Sequence, residues 1–287
     1  MSRSEERGLK GVVFDKSENT IFNIPYSDVD DERLRFDLLK ASKEKAKGVL
    51  IVDIHGGAYF HGHRINNYKF SNYFREEGYD VVVADYRLTS LGNNLNVETE
   101  VRDLLSLLSY LQKHLGDYGL KKDKLVIMGD SAGGHFALLL SEIVEDIELQ
   151  NKWGVDLSFL KLSATVVSCP VYDFDVSVYS SGLSKSGKDY MYGKGHEDRE
   201  WTRKLDPRPY ISSIKAPIFV SSCRNDFLKK HSKTLDEDLN KLGHDHAFVF
   251  LESASGKVGH VHNIIDLELP ESVSVNQAII AFLNQKV

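Results

Sequence analysis

The run Val126-Ile127-Met128-Gly129-Asp130-Ser131-Ala132-Gly133-Gly134-His135 constrains this chain more than any other stretch. It reads as an apolar strand, a tight glycine turn with a serine at its apex, and a helix predicted over 136–144. The serine lies within Gly129-x-Ser131-x-Gly133, the pattern of a nucleophile elbow. In that turn a strand reverses abruptly into a helix, the serine takes a strained backbone, and its hydroxyl projects beyond the sheet. Small residues two before and two after are required because strand and helix backbones touch there. Five residues alone also fit a glycine-rich turn with an incidental serine. The sequence on either side has to decide.

Upstream, residues 1–32 are polar with scattered insertions (Val12-Val13-Phe14, Ile21 to Ile24, Tyr26), which suits an arm with one or two irregular strands. Leu34 to Lys40 alternates in part and is expected to be an edge strand. Gly48 to Ile54 is nearly continuous in apolar residues, as in a strand buried on both faces of a parallel sheet. It runs into His55-Gly56-Gly57-Ala58, a loop whose backbone N–H groups can converge on an anion. A helix over 67–77, a buried strand over 79–88, a break at Gly92-Asn93-Asn94 and an amphipathic helix over 96–115 lead to the strand that feeds the elbow.

Downstream, strands are expected at 162–171, 216–223 and 247–251, and helices at 231–242 and 272–284. Strand and helix alternate at a spacing that predicts an α/β fold with a doubly wound, mostly parallel sheet. The whole of 1–287 reads as one domain, with an N-terminal arm over about 1–32. Residues 172–210 lose the pattern and are expected to be irregular, a small cap insertion over the carboxyl edge of the sheet.

Composition narrows the partners. The net charge of -6 argues against nucleic acid or an anionic membrane surface. No run approaches the 18 or so apolar residues of a membrane span. The charged N-terminus lacks an apolar signal core, so a cytoplasmic location is expected. The two cysteines, Cys169 and Cys223, sit in apolar runs and read as buried thiols, although a single bridge between them stays open. They are too few for a cysteine-rich zinc site. The histidine pairs His61/His63 and His244/His246 are two apart, not the four that suits a helical metal pair, so no metal and no cofactor are expected. Small molecules are the expected partners, and a homodimer stays open.

Ser131, Asp226 and His260 each follow a predicted strand, where the ends of a parallel sheet gather. A serine hydroxyl is a weak nucleophile near neutral pH. It needs a base within hydrogen-bond reach, and the base needs an acid to fix its tautomer. The order Ser, Asp, His is the one used by the α/β-hydrolase fold. With His55-Gly56-Gly57, Asp85-Tyr86-Arg87-Leu88 and Gly129-Asp130-Ser131-Ala132-Gly133-Gly134, the chain resembles the hormone-sensitive-lipase-like branch of the α/β-hydrolases over residues 45–285. That branch holds esterases, acetyl-hydrolases and kynurenine formamidases. The resemblance implies an α/β-hydrolase domain and a serine esterase, with Ser131 as nucleophile, Asp226 as acid and His260 as base. It also implies an oxyanion hole from the N–H groups of Gly56, Gly57 and Ala132, with His55 holding its loop by hydrogen bonds.

The chain departs from the family where His262 stands in place of a common phenylalanine, so His260 and His262 compete for the base role. His260 is preferred because it follows Gly259. Thr89-Ser90-Leu91 also replaces the usual Ala-Pro-Glu. Asp173, after the 162–171 strand, is the alternative acid. Asp85 and Arg87 are expected to form a structural ion pair. The expected substrate is a small, short-acyl ester, and the expected rivals are an arylformamidase of the same fold and a non-catalytic ligand-binding relative.

Overall fold

The computed structural model describes residues 19–90, 94–121, 124–253 and 256–287. Val12-Val13-Phe14 and most of the break at Gly92-Asn93-Asn94 lie outside the described residues. Eight strands make one sheet: β1 (Thr20–Pro25), β2 (Arg35–Leu39), β3 (Leu50–Ile54), β4 (Asp80–Ala84), β5 (Leu125–Asp130), β6 (Leu162–Ser168), β7 (Ile218–Cys223) and β8 (His246–Leu251). Their order is β1-β2-β4-β3-β5-β6-β7-β8. The β1/β2 and β2/β4 pairs are antiparallel and the other five are parallel. β2 is therefore not the expected edge strand. β1 covers its outer side, and four of its five residues are buried.

Period-two alternation assigns each strand residue to one of two cores. Leu50, Val52 and Ile54 of β3 face one side, with Val82, Ala84, Leu125 and Ile127. Val49, Ile51, Val81, Val83, Val126 and Met128 face the other. The first core is closed by α2 (Val97–His114), α3 (Ala132–Glu145) and α8 (Lys229–Leu242). The second is closed by α1 (Tyr68–Glu76) and α9 (Pro270–Lys286). A sheet buried on both faces explains why β3 to β5 read as almost unbroken apolar runs. α4 (Ile147–Trp153) follows α3 directly, capped by the Asp146 side chain.

The segment 172–210 is not irregular. It forms α5 (Phe174–Ser180), α6 (Lys185–Tyr192) and α7 (Arg199–Lys204), followed by a 3-10 turn at Arg208–Ser213. Each helix is six to eight residues long, too short to show an apolar period. Asp173, Ser184 and Asp198 cap them through hydrogen bonds to the first-turn amides. The alternative acid Asp173 is committed there, and Arg208 also binds it at 2.9 Å.

Strand order reverses between β3 and β5, so a crevice opens at their carboxyl ends. α3 reaches it only because Gly133 has no side chain: a Cβ there would lie 2.1 Å from the Ile54 carbonyl oxygen. A Cβ on Gly129 would lie 2.3 Å from the Gly133 carbonyl oxygen. Gly133→Ala is expected to lower stability by about 1–3 kcal/mol or more, as overpacking does. Gly116→Ala, with nothing within 4 Å, should change it by less than about 1 kcal/mol. Urea midpoints for the two variants check the contrast, and equal midpoints would remove the close-approach argument.

Candidate active site

Ser131 follows β5 at φ 53° and ψ −116°, a conformation that costs about 1–3 kcal/mol in a residue with a side chain. The turn is held by Ser131 N–H to Ser168 O at 2.9 Å and by His135 N–H to Ser131 O at 3.1 Å. The strain aims the hydroxyl out of the crevice, where it meets the imidazole of His260, with Oγ to Nε2 at 2.9 Å. The other ring nitrogen, Nδ1, donates to Asp226 Oδ1 at 2.7 Å. Donation from Nδ1 leaves Nε2 as the acceptor for the serine proton. His262 is engaged elsewhere. It is buried, and its Nδ1 lies 2.9 Å from Ser272 Oγ.

Asp226 is fully buried just beyond β7. Burial works to raise its pKa, but hydrogen bonds from His260 and Ser222 outweigh it and hold the carboxyl below its ordinary range. Ser222 Oγ donates at 2.7 Å and Leu228 N–H at 2.9 Å, so the carboxylate is fixed on both oxygens. Phe227, 74% exposed, places its ring 4.1 Å from that of His260. His260 itself sits between two thiols. Cys223 Sγ donates to Gly259 O at 3.3 Å, and Val261 N–H donates to Cys169 Sγ at 3.4 Å. Both cysteines are free and buried, and burial pushes both thiols up, Cys169 strongly.

The loop after β3 corrects one expectation. The N–H of Gly56 donates to Asp130 Oδ1 at 3.0 Å, so it does not point at the space above Ser131. No acceptor among the described residues takes the N–H of Gly57, Ala58 or Ala132. The loop bends there: Gly57, Ala58 and Tyr59 all have positive φ, and a Cβ on Gly57 would lie 1.7 Å from the His61 carbonyl oxygen. His55 Nδ1 donates to Gly56 O at 2.7 Å, and its ring stacks on Tyr86 at 4.5 Å. His55 thus holds the loop as expected.

Asp85 and Arg87 do not pair, contrary to expectation. β4 ends at Ala84, so a two-residue spacing no longer places both on one face. Asp85 pairs with the buried Arg64, which also binds Asp37, while Arg87 pairs with Asp103 at 2.6 Å. His63 Nε2 lies 3.3 Å from Asp85, and His246 Nε2 3.0 Å from Asp236. His244 Nε2 donates to Ile214 O at 3.0 Å.

Beneath the loop lies a buried acid pair that sequence reasoning missed. Asn67 Nδ2 bridges Asp130 at 2.9 Å and Asp53 at 3.2 Å, and Ser71 donates to Asp53. Burial raises both carboxyls, moving Asp53 from its ordinary 3.8 to about 7. Its only signal in the sequence was an acidic residue inside an apolar strand.

A family model described as BD-FAE matches residues 36–239. Among curated proteins, the chain is 27% identical over 130 residues to a probable isoprenylcysteine alpha-carbonyl methylesterase of Arabidopsis thaliana. That match covers 45% of this chain and only about a quarter (26%) of the plant protein. It is 24% identical to versiconal hemiacetal acetate esterase of Dothistroma septosporum, over 78% of this chain and 72% of that one. Among solved structures, esterase B of Lactobacillus rhamnosis superimposes with a TM-score of 0.84 at 22% identity, covering 99% of this chain and 91% of that one.

Asp53 gives a test with a definite sign. Its folded pKa is raised, so between about 4 and 7 the folded chain keeps a proton that the unfolded chain has lost. Stability should therefore fall as pH rises through that window, by up to about 1.4 kcal/mol per pH unit for one proton. Asp53→Asn should flatten the fall, read from urea midpoints across the window; parallel slopes would contradict the assignment.

The match over most of the chain, on an eight-stranded and mostly parallel sheet shared with solved esterases, shows that the protein belongs to the BD-FAE family and has the α/β-hydrolase fold.

Proposed function

We propose that this protein is a carboxylic ester hydrolase acting through a serine nucleophile and an acyl-enzyme, on small esters with short acyl groups. The observation that carries the reading is the unbroken row Ser131–His260–Asp226, at 2.9 Å and 2.7 Å. The esterase names of its relatives point the same way.

In this reading Ser131 Oγ attacks the ester carbonyl while His260 Nε2 takes its proton. Asp226 stabilises the imidazolium and keeps the ring in place. The oxyanion forms against the N–H groups of Gly57 and Ala132, and Ala58 takes the place first assigned to Gly56. Each such donor contributes about 3 kcal/mol on the transition state. His260 then protonates the leaving alcohol beside Phe227, and afterwards activates the water that clears the acyl group.

Residues 172–210 serve as the cap. His135, one turn into α3, donates from Nε2 to Leu205 O at 2.6 Å and stacks on Phe174 at 4.8 Å. Burial depresses its pKa to about 4, so the tie is made by a neutral ring across the physiological range. Tyr59 packs edge-on against the same ring, and Tyr192 packs on both Tyr59 and Phe174, all of them buried. That filled interior leaves little length for an acyl chain and favours acetate or butyrate over octanoate. The expected location remains cytoplasmic. Among the described residues no helix is long and apolar enough to cross a membrane.

Wild-type protein should hydrolyse p-nitrophenyl acetate, react with a fluorophosphonate probe and turn over N-formylkynurenine poorly. Ser131→Ala should abolish labelling and lower kcat by roughly 10⁴-fold or more. His260→Gln should be comparably impaired, whereas His262→Gln stays within about tenfold of wild type, a difference of no more than about 1.4 kcal/mol in barrier height. The octanoate ester should trail the acetate by roughly tenfold or more in kcat/KM. Formamide cleavage without ester cleavage would replace the reading with the amidase. No turnover and no labelling would replace it with a binding protein.

A further inference from the structure

The residues before and after His260 each rest on one of the two cysteines, through Gly259 O and Val261 N–H. Cys169 goes further. One ligand atom from each of Cys169, Asp226 and His260 lies within 4.8 Å of the others. Cys169 and Asp226 are buried, while the His260 side chain keeps 19% exposure and opens the cluster to the crevice.

We propose that Cys169, Asp226 and His260 form an inhibitory site for a thiophilic divalent cation of the Zn²⁺ and Cd²⁺ class. A thiolate, an imidazole and a carboxylate are the donors such a cation takes, with a fourth position left for water. Mg²⁺ and Ca²⁺ need several oxygens, and this cluster offers one carboxylate. Ligand atoms around a tetrahedral ion stand about 3.3–3.8 Å apart, so Asp226 and His260 need separate by only about 1 Å from their present contact.

The chemistry of the block follows from the tautomer. The cation takes the Nδ1 lone pair of His260 in place of the Nδ1 proton. The neutral ring then carries its one proton on Nε2, and the thiol proton of Cys169 goes to solvent. Nε2–H donates where it must accept, so Ser131 loses its base. Asp226 is drawn to the cation and no longer orients the ring. Cys169 and Asp226 are buried and Nδ1 is the ring nitrogen that faces Asp226 rather than Ser131, so inhibition should lower kcat more than it raises KM.

Chelator-stripped full-length protein titrated with Cd²⁺ tests this in two ways. Without substrate, wild type should show the ultraviolet thiolate-to-Cd²⁺ band. With p-nitrophenyl acetate, activity should fall over the same range and return with EDTA. Cys169→Ser should lose the band and need at least about tenfold more Cd²⁺ for half-inhibition. Cys223→Ser should keep both responses. Equal Cd²⁺ sensitivity in Cys169→Ser, or a band lost with Cys223 instead, overturns the proposal. If Cys169→Ser does not fold, imidazole nitrogen NMR of wild type replaces it: Cd²⁺ should move the His260 proton from Nδ1 to Nε2, and unchanged resonances overturn the proposal. The inhibition arm rests on the ester-hydrolase reading, but the band and the NMR do not. A wild type without turnover that still binds Cd²⁺ through Cys169 would sink that reading alone.

Discussion

The contact on which the site depends is between backbones. α3 starts so close to the end of β3 that Gly133 meets the carbonyls of Ile54 and His55 where a Cβ would be. That approach brings the turn after β5 against the loop after β3, where a Cβ on Gly56 would lie 3.0 Å from the Ser131 Cβ. A side chain at 133 would push the two apart. Glycine is required here by space, whereas at Gly57 it is required by both space and a φ of 137°.

Buried polar groups then fix what the backbone contact allows. Asp130, next to the serine, binds the Gly56 amide and so ties the elbow to the loop through one carboxylate. Asn67 joins it to Asp53, and Arg64 joins Asp85 to Asp37 on the far side of the loop. Partnered carboxylates of this kind are costly to disturb, because removing one partner strands a buried charge or donor. The strained turns at Ser131 and Val261 (φ 49°) persist within this frame, which over-determines them.

Much of this was legible in the sequence because it rests on local patterns. The apolar runs at 48–54, 79–88 and 124–128 read as strands, and β3, β4 and β5 fall on them because residues on both faces are buried there, although β4 stops at Ala84. Ser131 was legible because few residues other than glycine fit around it. The three helices within 172–210 were not, being too short to show a period and marked only by their caps at Asp173, Ser184 and Asp198. Asp85 and Arg87 looked paired because they are neighbours in the chain. Once β4 ended, their partners came from residues 21 and 16 positions away, Arg64 and Asp103. Gly56 was assigned to the oxyanion because nothing in a linear motif shows where an N–H points.

By itself the sequence determined the fold class, the elbow, and the three strand ends that carry Ser131, Asp226 and His260, because periodicity and glycine placement follow from short-range sterics. Only the tertiary structure put His260 rather than His262 against Ser131, turned the Gly56 N–H onto Asp130, and set Cys169 beside the imidazole. These are choices among neighbours one or two residues apart, or among groups far apart in sequence. Distance and direction at the sheet edge settle them, and no local pattern encodes either.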